Sequence, residues 1–194
     1  MDSIALALVV CGALAHASWN LLAKKAAGGA PFVWLYGVVS LAPALPLGGL
    51  AWWAFGRPLP WQAWLAVLAS AVLHVLDSLV LQRGYRASDF SVVYPLARGT
   101  GPLLAVLGAM VVLHEWPSGL GWCGIAAIVL GILLLADGPR LLHSGGHTLR
   151  AGLRWGLLTG GFIAAYTVVD GWAIKALGLP PVLYYGLGLV LRTV

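Results

Sequence analysis

Long apolar runs, each closed by a short cluster of turn-forming residues, set the pattern of this chain from end to end. About 20 apolar residues in a helix cross a hydrocarbon layer roughly 30 Å thick. On that scale Ile4–Leu22, Phe32–Phe55, Trp64–Leu81, Phe90–Leu113, Gly119–Ala136 and Leu153–Ile174 each predict one membrane-spanning helix. A seventh run begins at Val182 and reaches the last residue, Val194. The runs are continuous and do not alternate, which argues against transmembrane strands. The connections carry Gly, Pro, Ser and Asp: GlyGlyAlaPro at 28–31, GlyArgProLeuPro at 56–60, ArgGlyTyrArgAlaSerAsp at 83–89 and HisGluTrpProSer at 114–118. The longest polar stretch, 138–152, reads as a linker between two units, 1–137 and 153–194.

The pattern also holds a repeat. AHASWNLLAKKAAGGAP from Ala15 and AYTVVDGWAIKALGLPP from Ala165 align at an offset of 150. Lys25 falls on Lys175, Gly28 on Gly178, Pro31 on Pro181, Asn20 on Asp170 and His16 on Tyr166. Five spans separate the copies, and an odd number of crossings turns the second upside down. Inverted repeats of this kind recur in secondary transporters. The expected fold class is therefore an all-α polytopic membrane protein of inverted five-helix repeats, the first at 1–137 and the second starting at 153.

Composition agrees with lipid as the solvent. Apolar residues make up 61% of the chain and charged residues 9%, with mean hydropathy +0.93; a soluble domain carries roughly 25% charged residues. The first run resembles a signal peptide in length, but its start has Asp2 and no Lys or Arg, and many spans follow, so it reads as a span. Cys11 and Cys123 lie in separate apolar runs, which excludes a disulfide framework and reads as small core residues. The net charge of +5 is scattered over helix ends, a pattern of membrane topology and not of nucleic-acid binding. Basic residues are concentrated after the first, third and fifth spans, an asymmetry that places those loops in the cytoplasm.

Polar residues inside the spans are the candidate chemistry, because they are costly in lipid and face the bundle interior. His16 and Asn20 share a face of the first helix, as Tyr166 and Asp170 do of the sixth. Either they glue helices together by hydrogen bonds, or they form a matched pocket at the repeat interface. Ser70, His74, Asp77 and Ser78 form a stripe on the third helix. His74 and Asp77, three apart, are placed to meet as a proton-sensitive pair, or as a mutually satisfied one. Tyr94 and Arg98 share a face of the fourth helix beside Pro95 and Pro102, which loosen it. Arg98 either snorkels, pairs with Asp77 or binds an anionic group. Lys25, Lys175 and Glu115 read as interfacial residues. The pairs Gly101/Gly108, Gly156/Gly160 and Gly124/Gly131 have spacings that permit close helix packing. No GxSxG, HExxH, P-loop or DxxD pattern occurs, so no enzyme is expected.

HASWN…K over 16–25, and RASDFSVVYPLARGTGPL over 86–103 followed by Glu115 and a Gly-rich fifth helix, resemble the EamA-type members of the drug/metabolite transporter superfamily. The resemblance implies ten helices in two inverted repeats, a central cavity near Tyr94, Arg98 and the faces of helices one and six, and no bound cofactor. It implies export or uptake of a small solute by alternating access in the cytoplasmic membrane, with proton coupling or exchange. The seven spans here then predict a complete first repeat and a truncated second one. Two readings follow: a permease (alone or as a homo-oligomer), or a non-transporting fragment or half-transporter subunit that acts only with a partner chain.

Overall fold

The computed structural model describes residues 3–26, 29–56, 58–135 and 147–193. The side chains of 19–26, among them Asn20 and Lys25, lie outside the described residues, as does 138–146 of the expected linker. Each apolar run forms one helix: α1 (Ser3–Ala26), α2 (Gly29–Phe55), α3 (Trp61–Ala87), α4 (Phe90–Val112), α5 (Gly119–Leu135), α6 (His147–Ala176) and α7 (Pro181–Thr193). The described residues contain no strand. Pro31–Phe55, Trp61–Ala87, Phe90–Val112 and Leu149–Ala176 are long and apolar enough to cross a membrane. Pro95 and Pro102 leave α4 helical throughout, although each lacks the N–H that the carbonyl four residues earlier would accept.

Helices outrun their apolar stretches at the ends. α3 continues through Arg83, Gly84, Tyr85 and Arg86, a segment expected as connection, and α6 begins at His147, ahead of its apolar run at Leu153. Hydropathy marks only the apolar part of a helix, so polar ends such as 83–86 read as connection although they stay helical.

The bundle's outer surface is largely apolar, and several polar side chains are buried among the apolar core. Trp53 is 82% exposed and Leu120 84%, while Ser70, Asp77, Gln82, Thr159 and Asp170 are buried. Lipid removes the penalty for exposed apolar surface and raises it for exposed polar groups. The same inversion places Cys11 and Cys123 on the outer surface, correcting the expectation of core positions. A thiol behaves as a small hydrophobe, and lipid covers it as well as protein does.

α6 is the centre of packing, against α4 on one side and α3 on the other; α7 packs on α2 and α3. α6 runs parallel to α4: Gly152 abuts Ser88 and Val92, Gly156 abuts Leu96, Gly160 abuts Thr100, and Gly108 meets Val168. α2 and α7 run antiparallel, with Gly37 against Thr193 at one end and Gly48 against Gly186 at the other. The Trp34 indole N–H, which donates to the Thr193 carbonyl at 3.1 Å, joins the same pair. Of the three glycine pairs, Gly101/Gly108 and Gly156/Gly160 sit at the α4–α6 contact; Gly124 and Gly131 have nothing within 4 Å of where a Cβ would stand.

Candidate functional site

A cavity of about 320 Å³ lies among six of the helices. α1 contributes His16, α2 contributes Tyr36, α4 contributes Arg98, α6 contributes Tyr166 and α7 contributes Arg192. The longest wall is α3, through His74, Asp77, Ser78, Leu81, Gln82 and Tyr85. Their spacings of three and four residues keep them on one face.

His74 is held from two sides. Its Nδ1 lies 2.9 Å from the Ser70 carbonyl oxygen and 3.3 Å from the Ser70 hydroxyl. A carbonyl only accepts, so that contact assigns the proton to Nδ1. The imidazole stacks on the Tyr166 ring, with centroids 3.8 Å apart and planes 21° from parallel. This stack joins α3 to α6. The expected His74–Asp77 contact does not form: one turn back, Ser70 offers a carbonyl already in reach, and the stack fixes the ring there. Asp77 has no hydrogen-bond donor among the described residues, and its Oδ1 is buried. No hydrogen bond joins Arg98 Nε to the buried Asp77 Oδ1. The Arg98 guanidinium carbon lies 5.6 Å from the centroid of the Tyr94 ring, within cation–π range. Tyr94 itself stacks on Phe90 at 4.9 Å and is not part of the cavity wall.

Asp170 sits behind that wall. It accepts a 2.9 Å hydrogen bond from the Tyr184 hydroxyl, which also lies 3.1 Å from the Ala66 carbonyl oxygen. Around this junction Ala63, Ala66, Val67, Ala173, Leu179 and Tyr184 form an apolar cluster that ties α3, α6 and α7 together. The cavity therefore gathers His16, His74, Asp77, Arg98 and Tyr166 from the expected set, while Asp170 belongs to a structural junction and Tyr94 supports Arg98. The side chain of Asn20 lies outside the described residues.

Tyr36, Gln82, Tyr85, Tyr184 and Arg192 escaped the sequence reading. Gln82 and Tyr85 continue the stripe of His74, Asp77 and Ser78 at helical spacing, and treating 83–89 as a loop cut that stripe short. Tyr184 falls on Trp34 at the 150-residue offset, an aromatic match that was the available signal for Tyr184. Nothing in the sequence singles out Tyr36 or Arg192, because both reach the cavity only through the α2–α7 contact. At the far end of α6, Lys175 pairs with Glu115, both about half-exposed; two residues expected only as interfacial anchors hold the turn after α4 to α6.

The cavity offers imidazole, phenol, guanidinium, amide and carboxylate groups on one concave surface. Among the described residues no three His, Cys, Asp or Glu side chains converge as a metal site would require. Among known proteins, the model of the EamA-like transporter family matches residues 3–136. No curated protein and no solved structure matches the chain.

Proposed function

The chain belongs to the EamA-like transporter family, a multi-pass membrane family matched over α1 to α5, and on that premise we propose that it moves a small solute through the cavity by alternating access. The observation that carries this reading is a polar cavity walled by helices from both sides of the 150-residue repeat, inside a bundle whose outer surface is apolar. Binding sites of transporters lie at repeat interfaces near the bilayer midplane. His16 and Tyr166, equivalent at that offset, both face the cavity. The antiparallel course of α2 and α7 supports inverted copies, since equivalent helices in inverted repeats run in opposite directions. On this reading 1–137 is the first repeat and the segment from 153 belongs to a second, in the cytoplasmic membrane.

His16, His74 and Asp77 are the cavity groups that would carry a proton if transport is coupled to one. Flux in proteoliposomes, measured with and without an imposed proton gradient, tests the reading. Asp77→Asn and Arg98→Ala should each lower flux by about tenfold or more, as loss of one charged contact of about 1.4 kcal/mol or more would. Unchanged flux in both variants removes the cavity from the pathway. The alternative, a subunit active only with a partner chain, is favoured by the open glycine face of α5 at Gly124 and Gly131. It is recognised by flux that appears only on co-reconstitution with a second chain.

A further inference from the structure

The two ends of the bundle differ in their surface chemistry. At one end α2 finishes, α3 begins and α6 finishes. Trp53 is 82% exposed there and Trp61 68%, and Lys175 pairs with Glu115. The opposite end is formed by the close of α3 and the starts of α4 and α6, where Gly84 abuts Val93 and Trp155, and Gly152 abuts Ser88. Four exposed arginines stand on it: Arg83 and Arg86 on the last turns of α3, Arg150 and Arg154 on the first turns of α6. Arg86 donates to the Gln82 carbonyl at 3.4 Å, and the Arg154 guanidinium carbon lies 5.8 Å from the Trp155 ring centroid. None of the four pairs with an acid among the described residues, and Asp89 is the one described acid exposed at this end. Residues three and four apart are neighbours on a helix, so each arginine pair sets like charges side by side.

Their depth says what lies beside them. Trp61 and Arg83 are 22 positions apart on α3, and Arg150 and Trp172 are 22 apart on α6. At 1.5 Å per residue each interval is about 33 Å, close to the roughly 30 Å of a hydrocarbon layer. Indoles concentrate at the membrane–water boundary. With the tryptophans at one boundary, the arginines lie level with the phosphates of the opposite leaflet. We propose that Arg83, Arg86, Arg150 and Arg154 make this end a docking surface for anionic phospholipid headgroups. A guanidinium meets phosphate oxygens through parallel hydrogen bonds, and the headgroup charge offsets the repulsion within each pair. The partner is a leaflet touched at several headgroups, so the two pairs, on separate helices, do not have to converge on one lipid. Basic residues mark the cytoplasmic side, whose leaflet carries the anionic lipid. The inference is independent of what passes through the cavity.

The test heats the whole chain in neutral detergent with dioleoylphosphatidylglycerol or dioleoylphosphatidylcholine, which share acyl chains and differ in headgroup. The phosphatidylglycerol should raise the melting temperature at about tenfold lower concentration. Arg83→Gln with Arg86→Gln, and Arg150→Gln with Arg154→Gln, should each shrink that preference by about fivefold or more. Lys175→Gln, at the tryptophan end, should keep it. Inorganic phosphate at matched ionic strength should not replace the lipid. Two measurements on the unaltered chain decide the matter if the arginine variants fail to fold. Raised salt should erase the preference, and native mass spectrometry from mixed micelles should find phosphatidylglycerol retained over phosphatidylcholine. Equal effects or equal retention of the two lipids overturns the assignment. So does a preference that survives both double changes or high salt, one that Lys175→Gln abolishes, or protection by phosphate equal to that by phosphatidylglycerol.

Discussion

α6 presents two faces that do opposite things. Towards α4 it shows Gly152, Gly156 and Gly160, and the helices approach until Thr100 and Gly101 would touch any added methyl. Towards α3 and α7 it shows Tyr166 and Asp170, which stack on His74 and accept from Tyr184. Lipid tails are as apolar as leucine, so helix association gains little from hydrophobicity and relies on close packing and interhelical hydrogen bonds. One face of α6 uses the first device and the other uses the second. The packed face has no room for a ligand, and the hydrogen-bonded face lies against the cavity. A single helix thus fixes the frame on one side and backs the site on the other.

The largest effect that would break this comparison is at Gly160. A methyl there collides with the Thr100 hydroxyl and comes within 3.1 Å of the Gly101 backbone nitrogen. Thr100 cannot swing aside without giving up its 2.6 Å bond to the Leu96 carbonyl. Gly160→Ala should cost about 1–3 kcal/mol by overpacking, read as a lower melting temperature in detergent, and Gly160→Leu should prevent assembly. Gly131→Ala, at the same residue type with open space around it, should be neutral or stabilise α5 by about 0.5–1 kcal/mol. Equal losses at both positions would mean that spacing, and not contact, governs glycine here.

On the other face, Tyr184→Phe removes the donor to a buried carboxylate and should cost about 1–3 kcal/mol, measured by denaturant titration. Asp170→Asn added to that variant should recover part of the loss, since a neutral amide is cheaper to bury than an unpaired charge. Asp77→Asn sharpens the contrast between junction and cavity. Asp77 has no donor to lose among the described residues, so the melting temperature of that variant should hold or rise although flux falls. A stability loss at Asp77 comparable with that at Tyr184 would turn the cavity carboxylate into a structural one.

The smallest effect is at the rim. Glu115→Gln breaks the pair with Lys175, both about half in solvent, and should change stability by no more than about 0.5 kcal/mol. It should do less still at high salt. A larger change would make the turn after α4 part of the frame.

The two faces also differ in how far the sequence disclosed them. Glycine spacing marked the packed face but flagged Gly124 and Gly131 equally, because spacing places residues on one side of a helix without saying what stands opposite. The polar stripe on α3 was visible at His74, Asp77 and Ser78, yet its end at Gln82 and Tyr85 was lost to a boundary drawn by hydropathy. The His74–Asp77 pair was geometrically available within one helix. A carbonyl one turn back and a ring from α6 took His74 instead, and neither can be ranked without the neighbouring helix in place.

By itself, the sequence determined the membrane-spanning class, the helices that the described residues form and the polar residues that needed partners. Each follows from what one helix must satisfy in lipid: length, apolar surface and internal backbone hydrogen bonds. The tertiary structure alone decided that α6 packs between α3 and α4, that Asp170 serves Tyr184 while Asp77 faces the cavity, and that Arg192 joins Arg98 across 94 positions of chain. Those outcomes depend on which helix lies opposite which. Many helices satisfy the same one-helix rules, and only the fit of glycines to side chains between neighbours distinguishes the pairing that forms.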